Sequence, residues 1–260
     1  MRQLARETSK TGTTIMASSA DSKIAAICCT YRRYSCLRNT IAQWLAQSYS
    51  GNCHLVILSD GGDVDSQHGE TWSIYTSDSR YESLSAKHRD VVELARTCHN
   101  ADRIVVMDDD DCYLTTWLAS HAAVLEVHDV SQPIRKLAND GVGFGKVHPT
   151  QNVHHSFWGW RVDAYDACGG YSQLPISDFD TEFLARLVTV PGISIGDPWP
   201  DPEPIPCIYR WFTASSNGSA YGADIVSSQS QPLERFPGPI IPHFDEETIL
   251  YWQQRANGLI

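Results

Sequence analysis

Ile104-Val105-Val106-Met107-Asp108-Asp109-Asp110-Asp111 is the stretch on which the reading of this chain turns. An unbroken apolar run is the pattern of a strand buried on both faces, as in parallel sheets covered by helices. Acids directly after it lie at the carboxyl edge of the sheet, where open α/β folds bind their ligands. Carboxylates packed that closely repel one another unless a cation sits among them. An oxygen-only set suits a hard ion such as Mg²⁺ or Mn²⁺, held by one or two carboxylates together with substrate phosphates. A solvated acidic turn is the plain alternative.

The residues upstream supply the rest of a sheet. Ile24-Ala25-Ala26-Ile27-Cys28-Cys29 reads as a strand, Leu37, Ile41, Trp44 and Leu45 recur at helical spacing, and His54-Leu55-Val56-Ile57-Leu58 gives a second buried strand ending at Ser59-Asp60-Gly61-Gly62-Asp63. A crossover of that length makes the two strands parallel and puts both carboxyl-end loops on one edge, so Thr30, Tyr31 and Asp60 can converge on one ligand. Trp72 to Tyr75 reads as a third strand and Ser85 to Thr97 as a helix carrying Val91, Val92, Leu94 and Ala95. Neither G-x-G-x-x-G nor G-x-x-x-x-G-K-[ST] follows the first strand, which removes the dinucleotide fingerprint and the P-loop.

Composition narrows the class further. A chain of 260 residues with 42% hydrophobic content can bury one large α/β domain. Its formal net charge of −11 argues against broad attraction to nucleic acid or anionic lipid. The eight cysteines contain no C-x-x-C pair and several fall within strand-like or helix-like runs, which predicts free thiols in a reducing compartment. No apolar stretch approaches the ~20 residues of a membrane span, and the N-terminus lacks the apolar core of a signal peptide. The expectation is a soluble, cytoplasmic protein, with peripheral membrane contact as the remaining option. Residues 1–22 read as a polar tail, 23–190 as the folded domain, with halves 23–113 and 114–190, and 191–260 as a connector and closing segment of that domain. Six prolines between Pro191 and Pro206 suit an extended surface connector.

Several motifs together resemble family 2 of the nucleotide-sugar-dependent glycosyltransferases with the GT-A fold, over roughly Lys23 to Leu187. Cys29-Thr30-Tyr31-Arg32-Arg33 is similar to that family's T-Y-N-R element, and Gln43 to Tyr49 to its L-x-Q-[ST]-Y helix end. Ser59 to Asp63 is similar to its D-D-G-S-x-D turn, and Met107 to Tyr113 to its D-x-D-D element. Phe157-Trp158-Gly159-Trp160-Arg161, Cys168-Gly169-Gly170-Tyr171 and Ser177-Asp178-Phe179-Asp180 with Leu184, Arg186 and Leu187 resemble its acceptor-side pattern. The resemblance implies an α/β, GT-A (Rossmann-like) three-layer sandwich with a mostly parallel central sheet. It implies a metal-dependent enzyme of the hexosyltransferase type, moving one monosaccharide with inversion from a nucleoside-diphosphate sugar, foremost a UDP-sugar, to a hydroxyl acceptor. The acceptor could be a saccharide, lipid carrier, protein or modified nucleic acid.

Residue by residue, the resemblance makes Asp178 the general base, while the helix that starts there makes it equally an N-cap. Asp110, with Asp108 or Asp111, would hold Mn²⁺ or Mg²⁺, and Asp108 or Asp109 would meet the ribose. Thr30, Tyr31, Arg32, Asp60, Lys87 and Arg89 would face the nucleotide sugar, although Lys87 and Arg89 also suit a solvated helix face. Trp158, Trp160, Arg161 and Asp180 are candidates for the sugar or acceptor, the tryptophans being as readily core. His243 would complete the metal shell or serve structure alone. The family's processive mark Q-x-x-R-W is absent, since Tyr209-Arg210-Trp211 lacks the preceding glutamine. Ser59 and Gly62 replace the first aspartate and the serine of the D-D-G-S turn, which leaves the nucleotide base open. Two other readings stand beside this one: an inactive carbohydrate- or nucleotide-binding module on the same scaffold, and a sugar-phosphate nucleotidyltransferase, whose Gly-rich loop is missing.

Overall fold

A computed structural model describes residues 23–31, 33–62, 64–139, 146–149, 155–173, 178–200 and 202–210. In chain order the elements are β1 (Ile24–Thr30), α1 (Tyr34–Leu45), β2 (Cys53–Asp60), β3 (Gln67–His68), β4 (Trp72–Ser77), α2 (Leu84–His99), β5 (Arg103–Val106) and β6 (Cys112–Tyr113). They continue with α3 (Trp117–Val127), β7 (Val130–Ser131), β8 (Arg135–Asn139), β9 (Lys146–Pro149), a 3₁₀ turn at His155–Phe157, β10 (Gly159–Arg161) and α4 (Val162–Ala167). The last are α5 (Phe179–Val188), β11 (Ile195–Gly196) and β12 (Cys207–Arg210).

Among the described residues, eight strands form one sheet in the order β11-β7-β10-β5-β1-β2-β4-β3. β1 lies parallel to both β2 and β5, with Ile27 opposite Val56 on one side and Val106 on the other. β4 extends the parallel set beyond β2, while β10 runs antiparallel between β5 and β7. The apolar runs are buried on both faces, as a sheet covered by two helical layers demands. On one face Ile24, Leu55, Ile57 and Val105 pack with Leu37 and Trp44 of α1 and Trp117 and Leu125 of α3. On the other, Ile27, Val56, Ile104 and Val106 pack with Val91 and Ala95 of α2 and Phe183 and Leu187 of α5. α2 starts where the Ser83 hydroxyl accepts from the Ala86 N–H at 3.1 Å, and it ends at Asn100, which takes the left-handed φ of 54°. Side-chain capping and an αL residue close the orphan backbone groups at the two ends.

A second sheet, β6-β12-β8-β9, grows from the acidic turn. The sequence offers little sign of it because two of its strands are formed by short stretches without clear alternation. The proline-rich stretch also differs from the surface connector expected: Ile195 and Gly196 join the main sheet beside β7, and Trp199, Ile205 and Pro206 are buried. Proline supplies no N–H to a ladder, so the pairing falls on the residues between the prolines. All eight cysteines are free thiols. No helix among the described residues is long and apolar enough to cross a membrane.

Four buried histidines couple this packing to pH. Burial, joined at His54 and His88 by a neighbouring imidazole, lowers His54 to about 4 and His88 to about 3, and burial alone lowers His121 and His155 to about 3. These folded values lie below the ~6.5 of an unfolded histidine, so the native state binds fewer protons between them. Stability is therefore complete above pH ~6.5 and drains as pH falls toward about 3. Thermal midpoints should drop steadily from pH 7 to pH 5, and the slope should be shallower in His121→Gln; a flat profile for the native chain contradicts the assignment.

Candidate active site at the carboxyl edge of the sheet

The ends of β1, β2 and β5 meet at one edge, and the acidic turn follows β5 there. Met107 N–H still donates to Ile27 O at 2.9 Å, so the strand pairing runs up to the first aspartate. Asp109 is enclosed: Thr30 Oγ1 donates to its Oδ2 at 2.6 Å and Arg33 Nη1 to its Oδ1 at 2.7 Å. The same Arg33 nitrogen donates to Asp110 Oδ2 at 3.0 Å. Burial alone would lower the Arg33 pKa, but Asp109 and Asp110 together lift it above its usual value. Asp108 is half-buried and its carboxylate has no hydrogen bond among the described residues. Burial, then Asp110, Asp111 and Asp109, push its pKa well up, with Arg33 opposing.

Struts from two directions set this turn. The Asp108 N–H donates to Tyr113 Oη at 2.7 Å, and Tyr113 N–H donates to Gln43 Oε1 of α1. Gln47 Nε2 donates to Leu114 O at 2.8 Å and its Oε1 accepts from Leu118 N–H at 2.9 Å, while Ser48 N–H donates to Thr115 O. The Gln-Ser-Tyr helix end thus ties α1 to the segment just after the aspartates. Below, Lys136 of β8 lies 4.2 Å over the Tyr209 ring. Burial lowers Lys136 to about 8, against the pull of Asp111. Tyr209 is pushed up by burial and then by the charges of Asp111, Asp110, Asp108 and Asp180.

Asp60 and Lys87 come to this edge but face each other. Lys87 Nζ donates to Asp60 Oδ1 and to Thr30 O, both at 2.5 Å, and Asp60 Oδ2 accepts from Tyr81 N–H at 2.9 Å. With exposures of 0% for Asp60 and 2% for Lys87, the pair is interior structure that locks the ends of β1 and β2 to α2. Tyr31 is better placed to meet a ligand, half-buried, with the Arg80 guanidinium 4.1 Å over its ring. Gly61 lies under that ring at φ 93°; a Cβ there would stand 2.8 Å from Tyr31 Cε2, so glycine is required twice over. Arg89 is half-buried on α2, its Nε 3.9 Å from Asp90 Oδ1.

On the other side, Asp178 stands exposed at the N-cap of α5, and its side chain makes no capping bond, whereas Asp180 Oδ1 accepts from Thr181 N–H at 2.8 Å. The helix start is held by aromatic contacts: the Phe179 ring lies 4.9 Å from His88, the neighbour of Lys87, and 5.9 Å from Tyr171. Arg186 of α5 binds Cys168 O, Gly170 O and Glu182, which clamps the Gly169-Gly170 turn against the helix.

Besides Asp60 and Lys87, which turn inward, the tryptophans and Arg161 differ from expectation. Trp158 and Trp160 are buried at 1% and 0%, so their rings fill the core and present no face to a sugar. Arg161 pairs in register with Arg103 at the start of β5 and leans toward Asp163, which puts it on the opposite edge of the sheet. Arg32 and His243 lie outside the described residues. Arg33, Tyr113, Lys136 and Tyr209 join the site unforeseen; of these, Arg33 and Tyr113 carried a signal, as the last residues of the segments similar to the T-Y-N-R and D-x-D-D elements.

No three His, Cys, Asp or Glu side chains converge as a metal cage among the described residues. The acidic turn nevertheless fits an ion that takes most of its ligands from phosphate and water, because the Asp108 carboxylate is only half-buried, lacks a hydrogen bond among the described residues and sits in a negative potential that Arg33 offsets only in part.

No family model and no curated protein matches the sequence. Solved structures do match its fold. TarS 1–349 from S. aureus in complex with UDP-GlcNAc superposes with a TM-score of 0.57 at 12% identity, over 74% of this chain and 59% of that one. The mannosyltransferase PcManGT from Pyrobaculum calidifontis, in complex with GDP-Man and Mn²⁺, gives 0.50 at 12% identity over 71% and 56%. The chain therefore spans less than two thirds of either. The likeness establishes the fold: an α/β, three-layer sandwich of the GT-A type with a mostly parallel central sheet.

Lys87→Met should leave Asp60 as an uncompensated buried charge and cost ~3–5 kcal/mol in urea unfolding. Adding Asp60→Asn should recover a large part of that loss, because the amide oxygen can still accept from Tyr81; additive losses contradict the pairing.

Proposed function

We propose that this chain transfers a single sugar from a nucleoside-diphosphate donor to a hydroxyl acceptor, with inversion, as a member of glycosyltransferase family 2. The observation that carries the reading is a pair of carboxylates without a side-chain hydrogen bond to N-cap or neighbour among the described residues, Asp108 in the acidic turn and Asp178 at the start of α5. Structural neighbours that hold UDP-GlcNAc, or GDP-Man with Mn²⁺, support the same donor class.

In this reading the nucleoside lies over the β1 and β2 ends, with Tyr31 and Thr30 nearest it, and Asp60 and Lys87 act through those residues without touching it. Asp108 and Asp110 would hold Mn²⁺ or Mg²⁺, with Asp111 behind them. The ion's contribution, when bound, is to neutralise the diphosphate as it leaves. Asp109, enclosed by Thr30 and Arg33, keeps the turn in shape, with the ribose within reach of Asp108. Asp178 takes the proton of the acceptor hydroxyl as that oxygen bonds to the anomeric carbon, and the bond from that carbon to the diphosphate oxygen breaks with its electron pair. One displacement from the face opposite the leaving group inverts the centre. An exposed aspartate with no capping duty suits a base that must meet a variable partner. Asp180, on the same helix turn, lies beside it on the acceptor side.

The proposal is checked by incubating the protein and a panel of UDP-, GDP- and dTDP-sugars with Mn²⁺ and following donor consumption. Turnover should appear with one donor class, and Asp178→Asn should lower kcat by ~10²–10⁴-fold while donor affinity holds. Tight donor binding without turnover, indifferent to Asp178→Asn, would favour a binding module instead.

A further inference from the structure

Arg33 has no part in the reading above beyond shaping the turn, yet its geometry is that of an occupant. Its Nη1 lies between two carboxylates, 2.7 Å from Asp109 Oδ1 and 3.0 Å from Asp110 Oδ2. The two differ in setting. Asp109 is 2% exposed and also takes the Thr30 hydroxyl, whereas the Asp110 side chain is 17% exposed. Asp109 is thus an anchor for the guanidinium, and Asp110 is the arm that can be released to solvent. Two other cations near the turn are already committed among the described residues. Lys87 is matched by Asp60, and Lys136 is enclosed under Tyr209 on the Asp111 side.

A divalent ion bound through Asp110 Oδ2 and a guanidinium N–H on the same oxygen compete for one lone-pair region and for one negative potential. The ion carries its own ligands only if phosphate oxygens come with it, since Mg²⁺- and Mn²⁺-type sites use one or two carboxylates plus substrate phosphates. A guanidinium displaced from Asp110 while still anchored on Asp109 would face those phosphates, and its planar fork suits them. We propose that Arg33 is a built-in placeholder for the cation. It holds Asp110 until a divalent ion and a nucleoside diphosphate arrive together, which keeps ion affinity low in the empty site and makes the two ligands bind cooperatively. The inference rests on the donor reading, and by linkage the coupling must be reciprocal.

The test is Mn²⁺ binding, read by electron paramagnetic resonance of the free ion, for the native chain, Arg33→Met and Arg33→Gln, each alone and with UDP or GDP. Glutamine keeps an amide donor for Asp109 without the charge. Expected is Mn²⁺ binding about five-fold or more tighter in both variants than in the native chain when no nucleotide is present, together with a smaller gain on adding nucleotide. Native binding of Mn²⁺ with nucleotide, but equal or weaker binding in the variants, overturns the placeholder while leaving the donor site standing. Absence of Mn²⁺ binding in all three proteins, with or without either nucleotide, overturns the donor reading and the inference with it. Loss of cooperative unfolding in both variants would show Arg33 to be structural and equally overturn the proposal.

Discussion

Four successive carboxylates at the end of a buried strand are an electrostatic problem before they are a site. At an effective dielectric of ~20, two charges 4 Å apart interact by ~4 kcal/mol, so the turn would fly apart or protonate without local compensation. The molecule answers it unevenly. Asp109 is enclosed by Thr30 and Arg33, Asp110 shares Arg33, Lys136 offsets Asp111, and Asp108 is left with its pKa raised by burial and its neighbours. Most other features of this edge serve to hold that uneven arrangement in place.

The supports come from elements far apart in sequence. Gln43 of α1 and Gln47 just past its end grip the backbone on the far side of the turn, and Tyr113 fixes its first residue. The enclosed Lys87–Asp60 pair ties β1, β2 and α2 together, and one residue on, His88 meets Phe179 beside Asp178. A short chain of packed groups therefore runs from the carboxyl edge of the sheet to the start of α5. The proposed reaction would need such bracing, because misplacement by about 1 Å can cost ~10²-fold in rate. A carboxylate that merely capped α5 would be unavailable for such work, and Asp178 is spared that duty.

Much of the sheet was legible in the chain. The apolar runs at 24–29, 54–58 and 104–107 became β1, β2 and the end of β5, and the helical periods became α1, α2 and α5, because burial on two faces or one stripe leaves a direct mark on residue type. The second sheet left no such mark, since its strands are short and draw on stretches without clear alternation. The tryptophans at 158 and 160 show the limit most clearly: an aromatic next to a glycine reads the same whether its face meets a sugar or Phe183, and only the packing tells them apart.

By itself the sequence determined that carboxylates would crowd the edge of a parallel sheet, because local apolarity and charge dictate where a strand must stop. It also placed Asp178 at a helix start. Which acids are neutralised, that Asp60 and Lys87 turn inward, that Arg161 falls on the far edge and that Arg33 bridges Asp109 and Asp110 were decided by tertiary structure alone. The reason is physical: ionic partners separated by 27 to 77 positions in the chain are chosen by distance and desolvation in the folded state, and neither is written in the order of the residues.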